Sequence, residues 1–99
     1  MARFDVYKNP DGEGYLLDVQ ADLVSHLNTR VVIPLLPVSV APQPAAILNP
    51  CLAITGEPHI MTTQFMAAVP TSILRTPITR LQAKRDEIVA AVDFLMQGF

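Results

Sequence analysis

Apolar and polar positions alternate along the first part of the chain, and this alternation predicts short β-strands. In RFDVYKN, Phe4 and Val6 alternate with more polar neighbours, as in a half-buried strand. Apolar residues return at every second position after the turn sequence NPDGEG, so the two runs predict a β-hairpin. The β-branched run RVVIPL predicts a further short strand closed by Pro34, since a proline here indicates a strand end or an edge strand.

A second hairpin is predicted where CLAIT and HIMTTQF flank the turn sequence GEP. Further on, TSILRTP is consistent with a last short strand. The final 20 or so residues differ, because their apolar positions have helical spacing. Thr79 followed by Gln82 fits a capping box, so a helix is expected to begin between 80 and 84 and to run almost to the end. Its apolar stripe contains Leu81, Ile88, Val92, Leu95 and Phe99.

The end of this helix has the sequence of a cap. Gly98 is expected to adopt the left-handed conformation, with Phe99 packed back on Phe94 in a Schellman motif. Such a cap needs no further role. Asp93 lies in the last turn, however, where its charge opposes the helix macrodipole. This indicates that something besides helix stability selected the sequence.

Composition narrows the class of protein. The 99 residues are expected to form one domain, residues 1–99, and a small apolar chain of this kind favours self-association. A formal charge of −2 argues against a broad phosphate-binding surface, so nucleic acid is not an expected direct ligand. No signal peptide is recognised, and prolines interrupt the uncharged run at residues 31–56, so the expectation is a cytoplasmic protein without a membrane span. Cys51 is expected to be a small buried residue.

Candidate catalytic groups are few. His26 and His59 lack metal-ligand spacing and are expected at turns or on the surface, and no cofactor or metal is expected. Asp86 and Glu87 are adjacent on the predicted helix and face different directions, unlike a paired acid and base. Arg30 could act on a phosphodiester, but a surface cation is the simpler interpretation.

Five sequence blocks, in order and with matching spacing, resemble the CcdB toxins of type II toxin–antitoxin modules. They are DVQADLV, RVVIPL, MTT, AAVP and a helix that ends DFLMQGF. The resemblance covers essentially the whole chain. It implies a mainly β fold, namely an SH3-like antiparallel β-barrel with a small accessory sheet and a long C-terminal α-helix, assembled as a homodimer.

The resemblance also implies a binding poison rather than an enzyme. Such toxins insert between the two A subunits of DNA gyrase and trap the enzyme on cleaved DNA, which inhibits replication. A cognate CcdA-like antitoxin neutralises them with a disordered segment that folds along the dimer surface. Plasmid maintenance and transcription autoregulation are the implied roles of the module. Direct binding to nucleic acid is expected only with the antitoxin.

The resemblance assigns residues to both partners. Gyrase binding falls on Gln97, Gly98 and Phe99, where Gln97 replaces the tryptophan of the best-known family pattern. Antitoxin binding falls on Leu23, Val24, Asp93, Met96, Gln97, Gly98 and Phe99.

Two alternatives stay open at this stage. One is a MazF-type endoribonuclease that shares the barrel fold and uses Arg30, or a similar cation, beside a Ser or Thr. The other is a non-toxic homologue that binds only the antitoxin, since Gln97 lacks the stacking surface of an aromatic residue.

Overall fold

The computed structural model describes residues 1–98 as a curled antiparallel sheet with a C-terminal helix. The predicted mainly β class is therefore confirmed. The elements are β1 (Asp5–Lys8), β2 (Tyr15–Asp18), β3 (Thr29–Pro37), β4 (Cys51–Ile54), β5 (Glu57–Met61), β6 (Ala67–Pro70), β7 (Thr79–Arg80) and α1 (Arg85–Gln97). In the sheet the strand order is β4-β5-β3-β2-β1-β7, and β6 also pairs with β3.

The long strand β3 organises the sheet, because one of its edges is shared by two partners. Residues 29–32 pair with β6, and residues 35–37 pair with β5. Pro34 lies between these stretches, and its carbonyl accepts the Thr62 amide at 3.0 Å. In an antiparallel strand the N–H and the C=O of one residue point toward the same neighbouring strand. The N–H that Pro34 lacks would therefore point to the place where β3 changes partner from β6 to β5. The strand therefore continues to Pro37, and the predicted end at Pro34 is wrong.

Both predicted hairpins are present. β1 and β2 pair around the NPDGEG turn, where Gly14 has φ 85° and a Cβ there would clash with the Leu35 carbonyl oxygen. β4 and β5 pair around Thr55 and Gly56, which both have positive φ, and Pro58 belongs to the strand rather than the turn. This second hairpin corresponds to the expected small accessory sheet and is continuous with the main sheet through β3.

The C-terminal helix packs on one face of the sheet through Ile88 and Ala91. The helical segment begins within the predicted range, as a 3-10 turn over Gln82–Lys84 that leads into α1. The predicted capping box is wrong, because Thr79 lies in β7. The segment expected to be a last strand contains a 3-10 turn at Thr71–Ile73 instead.

The opposite face of the sheet is also covered, because Ile73 and Leu74 pack there against Tyr7, Leu16 and Val32. Tyr7 is therefore 1% exposed, and the predicted half-buried character of the first strand is wrong. His59 is likewise buried, whereas Cys51 is exposed on β4. Both of these sequence expectations were incorrect, since burial depends on which elements cover a strand.

Candidate functional site

The helix α1 ends at Gln97 and is capped by Gly98, which has the left-handed conformation. Gly98 has φ 81° and ψ 13°, and its N–H donates to the Phe94 carbonyl at 2.9 Å. This bond closes one helical turn as in an αL cap, and glycine adopts the left-handed conformation without strain. The left-handed glycine predicted from the sequence is confirmed. Phe99, expected to pack on Phe94, lies outside the described residues.

The last turn of α1 is open to solvent, in contrast to its buried middle. Leu95 is 38% and Met96 65% exposed, and Asp93, Gln97 and Gly98 are also exposed. A Cβ placed on Gly98 would meet no described atom within 4 Å. The apolar stripe of the helix therefore continues past the sheet, and its final turn presents apolar area that residues 1–98 do not cover.

The charge near this end of the helix interacts unfavourably with the helix macrodipole. Asp93 is exposed in the final turns, and the last turn contains no basic residue. The first turn differs, since Asp86 and Glu87 complement the macrodipole there. Asp93 therefore remains the residue whose presence helix stability does not explain.

A second exposed group lies in the connection between β2 and β3. Leu23 is 92% exposed and Val24 is 38% exposed, within a 3-10 turn over Asp22–Val24. Every residue from 21 to 28 is exposed. Residues 21–28 are called the Leu23 loop below. An apolar side chain as exposed as Leu23 contributes little to the fold of its own chain.

Beneath this loop lies a buried ion pair. Arg30 and Asp18 are both 0% exposed, and the guanidinium contacts Asp18 Oδ2 through Nε and Nη2 at 2.7 Å each. Gln20 completes the cluster, because its N–H donates to Asp18 Oδ1 and its carbonyl accepts from Arg30 Nη2. Burial raises the pKa of the Asp18 carboxyl, and the hydrogen bond from Arg30 opposes this shift.

The position of Arg30 removes the one cation that the endoribonuclease alternative named. A guanidinium with no exposed surface, held by a carboxylate, has no access to a phosphodiester in RNA. The surface cation assumed in the simpler interpretation is also wrong. Thr29, the neighbouring hydroxyl residue, is exposed. Because Arg30 is buried, the two side chains cannot act together on RNA as that alternative requires.

Tyr7, near this cluster, gives a testable pH dependence. Burial, together with the nearby carboxylates of Asp5 and Asp18, raises the pKa of its hydroxyl from 10.0 to about 12. The unfolded chain therefore loses this proton at lower pH than the folded chain. The free energy of unfolding is expected to fall between pH 10 and 12 for this reason.

The measurement is urea unfolding at several alkaline pH values, compared with the Tyr7→Phe variant. The phenylalanine variant has no hydroxyl to titrate, so its unfolding free energy should decline less over the same range. Equal declines in the two proteins would contradict the assignment. The difference absorbance of the two folded proteins near 295 nm would report the ionisation of Tyr7 directly.

The structure separates the assigned residues into two surface groups. Leu23 and Val24 form one, and Asp93, Met96, Gln97 and Gly98 form the other; no hydrogen bond or ion pair within residues 1–98 joins them. Three surface cavities of about 260, 410 and 330 Å³ are lined by residues of neither group. Exposed surfaces of this kind suit a macromolecular partner better than a small ligand.

Gln20 was missed by sequence reasoning, as was the Asp18–Arg30 pair. The one available signal was the placement of Asp18 and Arg30 in otherwise apolar strand sequences, because charges rarely enter such strands unless they are paired. Within residues 1–98, no three His, Cys, Asp or Glu side chains are arranged to hold a metal ion.

Comparison with known proteins identifies the family to which the chain belongs. No curated protein matches the chain. No helix among residues 1–98 combines the length and apolarity needed to cross a membrane. The model of the CcdB protein family matches residues 3–98, which is nearly the entire sequence. The chain therefore belongs to the CcdB family, the toxins of toxin–antitoxin modules.

Proposed function

We propose that this chain is a non-catalytic toxin that binds the A subunit of DNA gyrase and traps the complex of gyrase with cleaved DNA. The observation that carries the proposal is the exposed end of α1 in a member of this family. Gln97 and Gly98 are exposed there, and Phe99 follows them directly in sequence. In this mechanism the tail is a docking element, and gyrase itself supplies the chemistry of DNA cleavage.

Local geometry explains why a glycine suits this contact. The left-handed Gly98 turns the backbone out of the helix axis, and the absence of a Cβ leaves its backbone accessible from the open side. A partner surface can therefore approach the main chain of Gly98 closely, next to the exposed Gln97. Hot-spot contacts of this kind depend on a rigidly presented side chain.

Neutralisation by the cognate antitoxin is proposed to use both surface groups. Leu23 and Val24 offer apolar area, while Asp93 and Met96 offer a charge and a flexible thioether near the tail. A disordered antitoxin segment can cover separated patches along a surface. Overlap at Gln97, Gly98 and Phe99 would exclude gyrase directly.

The exposed apolar residues also support assembly as a homodimer.

The test is a cleavage assay with purified protein, DNA gyrase and supercoiled plasmid. Linear plasmid is expected to accumulate after protein denaturation, only when gyrase is present, and to decrease when the cognate antitoxin is added. A parallel reaction without gyrase reveals any contaminating or intrinsic nuclease. If the chain binds antitoxin yet yields no linear plasmid at high excess over gyrase, it is instead the non-toxic homologue. Viable counts after overexpression in a gyrase-sensitive host report the same distinction in cells.

A further inference from the structure

The Leu23 loop is held in place by hydrogen bonds rather than by packing. None of residues 21–28 is buried, so no apolar side chain of the loop anchors it to a core. Its own backbone contributes short turns, such as the bond from the Val24 amide to the Ala21 carbonyl at 3.1 Å. Turns of this kind are weak in isolation, since nucleating them fixes many dihedral angles for few bonds. Contacts with the rest of the molecule therefore decide the conformation of the loop.

One side chain provides the contact to the middle of the loop. Gln20 Nε2 donates to the Val24 carbonyl at 3.0 Å, and its Oε1 accepts from the Val31 amide of β3 at 3.0 Å. The side-chain amide thus joins the loop to a central strand. At the loop's two ends, Asp22 accepts from the Arg3 amide and the Asn28 carbonyl accepts from the Thr71 amide.

Gln20 is itself fixed by the buried ion pair. Its N–H donates to Asp18 Oδ1 at 3.0 Å, and its carbonyl accepts from Arg30 Nη2 at 3.3 Å. All four polar groups of this residue are therefore hydrogen-bonded, and its side chain is almost fully buried. A residue satisfied in this way has one strongly preferred conformation. The Asp18–Arg30 pair thus fixes the position of Gln20, and Gln20 in turn fixes the position of the Val24 carbonyl.

We propose that Gln20 is a positioning residue for partner binding, which holds Leu23 and Val24 in the conformation that the antitoxin recognises. This inference rests on the proposed function, specifically on an antitoxin contact at Leu23 and Val24. Gln20 does not itself offer surface to a partner. It reduces the ordering cost that the exposed loop would otherwise impose on binding, which is the effect of preorganisation on affinity.

The principal test replaces Gln20 by Met, which has similar length and removes both side-chain hydrogen bonds. Amide hydrogen exchange at Val24, Ser25 and Leu27 is expected to accelerate, because these loop bonds lose their anchor. Affinity for a peptide of the cognate antitoxin's C-terminal segment should weaken about tenfold, as expected for one lost hydrogen bond and a looser loop. Far-UV circular dichroism checks that the sheet is retained.

A second variant guards against a general loss of the fold. Gln20→Glu, measured at pH 8, keeps an acceptor for the Val31 amide, replaces the donor to Val24 by a carboxylate oxygen and adds a charge near Asp18. Its loop should loosen while its strand pairing is retained. The matched control is Asn49→Leu, because Asn49 is another buried amide that anchors a different segment, with bonds to Ala45 and Met61 at 3.0 Å. This control should lose thermal stability without losing antitoxin affinity.

The outcomes separate the positioning role from the proposed function. Loosened loop amides together with weaker binding in both Gln20 variants, and normal binding in Asn49→Leu, would support the role. Unchanged affinity in Gln20→Met, or unchanged exchange in the loop, overturns it. Leu23→Ala tests the underlying contact separately. If that variant binds the peptide with full affinity, the proposed antitoxin contact at Leu23 is rejected, and the role of Gln20 in it is rejected as well.

Discussion

Deletion of Gly98 and Phe99 is expected to abolish the accumulation of linear plasmid in the presence of DNA gyrase. These residues follow the last turn of α1, where Gln97 and Gly98 are exposed and a Cβ on Gly98 would meet no described atom within 4 Å. If the tail is the docking element, the deletion removes two of the three residues assigned to gyrase, and Gln97 alone is not expected to hold gyrase on cleaved DNA. The measurement is the fraction of linear plasmid over a range of toxin concentrations.

The deletion also removes the bond from the Gly98 amide to Phe94, so a stability control is needed. Loss of this cap should cost about 1 kcal/mol and fray the last turn only, because Ile88 and Ala91 hold the helix to the core. Phe99→Ala keeps the cap and removes only the aromatic side chain. We expect it to require roughly 30-fold more protein for the same cleavage, the effect of losing one hot-spot side chain.

A second control tests the backbone of the cap. Gly98→Asn places a side chain at the open position in a residue type that tolerates the left-handed conformation. It should retain helix stability but weaken gyrase trapping, because the new side chain occupies the side from which a partner approaches. Undiminished cleavage by the deletion variant, at equal folded concentration, would show that the tail is not the gyrase contact.

The parts of the fold that could be predicted from sequence are those with local causes. The hairpin at NPDGEG follows from turn residues between alternating strands, and Gly98 follows from the preference of glycine for a left-handed cap. The capping box failed for a related reason. Thr79 has a local signal for a helix start, but pairing with Val6 in β1 places it in a strand.

The parts that could not be predicted depend on which distant segment covers a strand. Tyr7 has a polar tip and alternates with Val6, so the sequence favoured an exposed position. Ile73 and Leu74 cover it from a segment more than 60 residues away in the chain. Alternation describes the two faces of a strand, but it does not tell whether the second face is covered.

The candidate site divides in the same way. The helix end could be recognised because its cap, its acidic Asp93 and its exposed apolar turn are consecutive in sequence. The Leu23 loop was assigned through the resemblance, while its anchor was not predictable. Gln20 acquires its role only when β2 and β3 bring Asp18, Arg30 and Val31 around it. Hydrogen-bond partners of this kind are a property of the assembled sheet.

Replacing Arg30 by Met is expected to lower the free energy of unfolding by about 3 to 5 kcal/mol at pH 7, because it leaves the buried Asp18 carboxylate without its cation. For a chain of this size the midpoint of thermal unfolding should fall by on the order of 20 °C. Burial already raises the pKa of Asp18, and loss of Arg30 removes the hydrogen bond that opposes this rise. Because the folded variant then binds a proton more readily than the unfolded chain, its stability should fall with rising pH and partly recover at pH 5.

Two comparisons distinguish an unpaired buried charge from a simple loss of volume. Asp18→Leu combined with Arg30→Met removes both charges and should recover much of the stability, because an apolar pair can replace a buried ion pair at little cost. Lys84→Met breaks the exposed contact to Glu87, at 3.7 Å, and should change stability by less than about 1 kcal/mol. If the double variant is as unstable as Arg30→Met, packing rather than charge compensation explains the loss. The double variant can also recover stability while the Leu23 loop still exchanges its amide protons rapidly. In that case the specific contribution of the ion pair is to hold Gln20 in place. The reason is that an apolar pair fills the core but does not restore the bond from Arg30 to the Gln20 carbonyl.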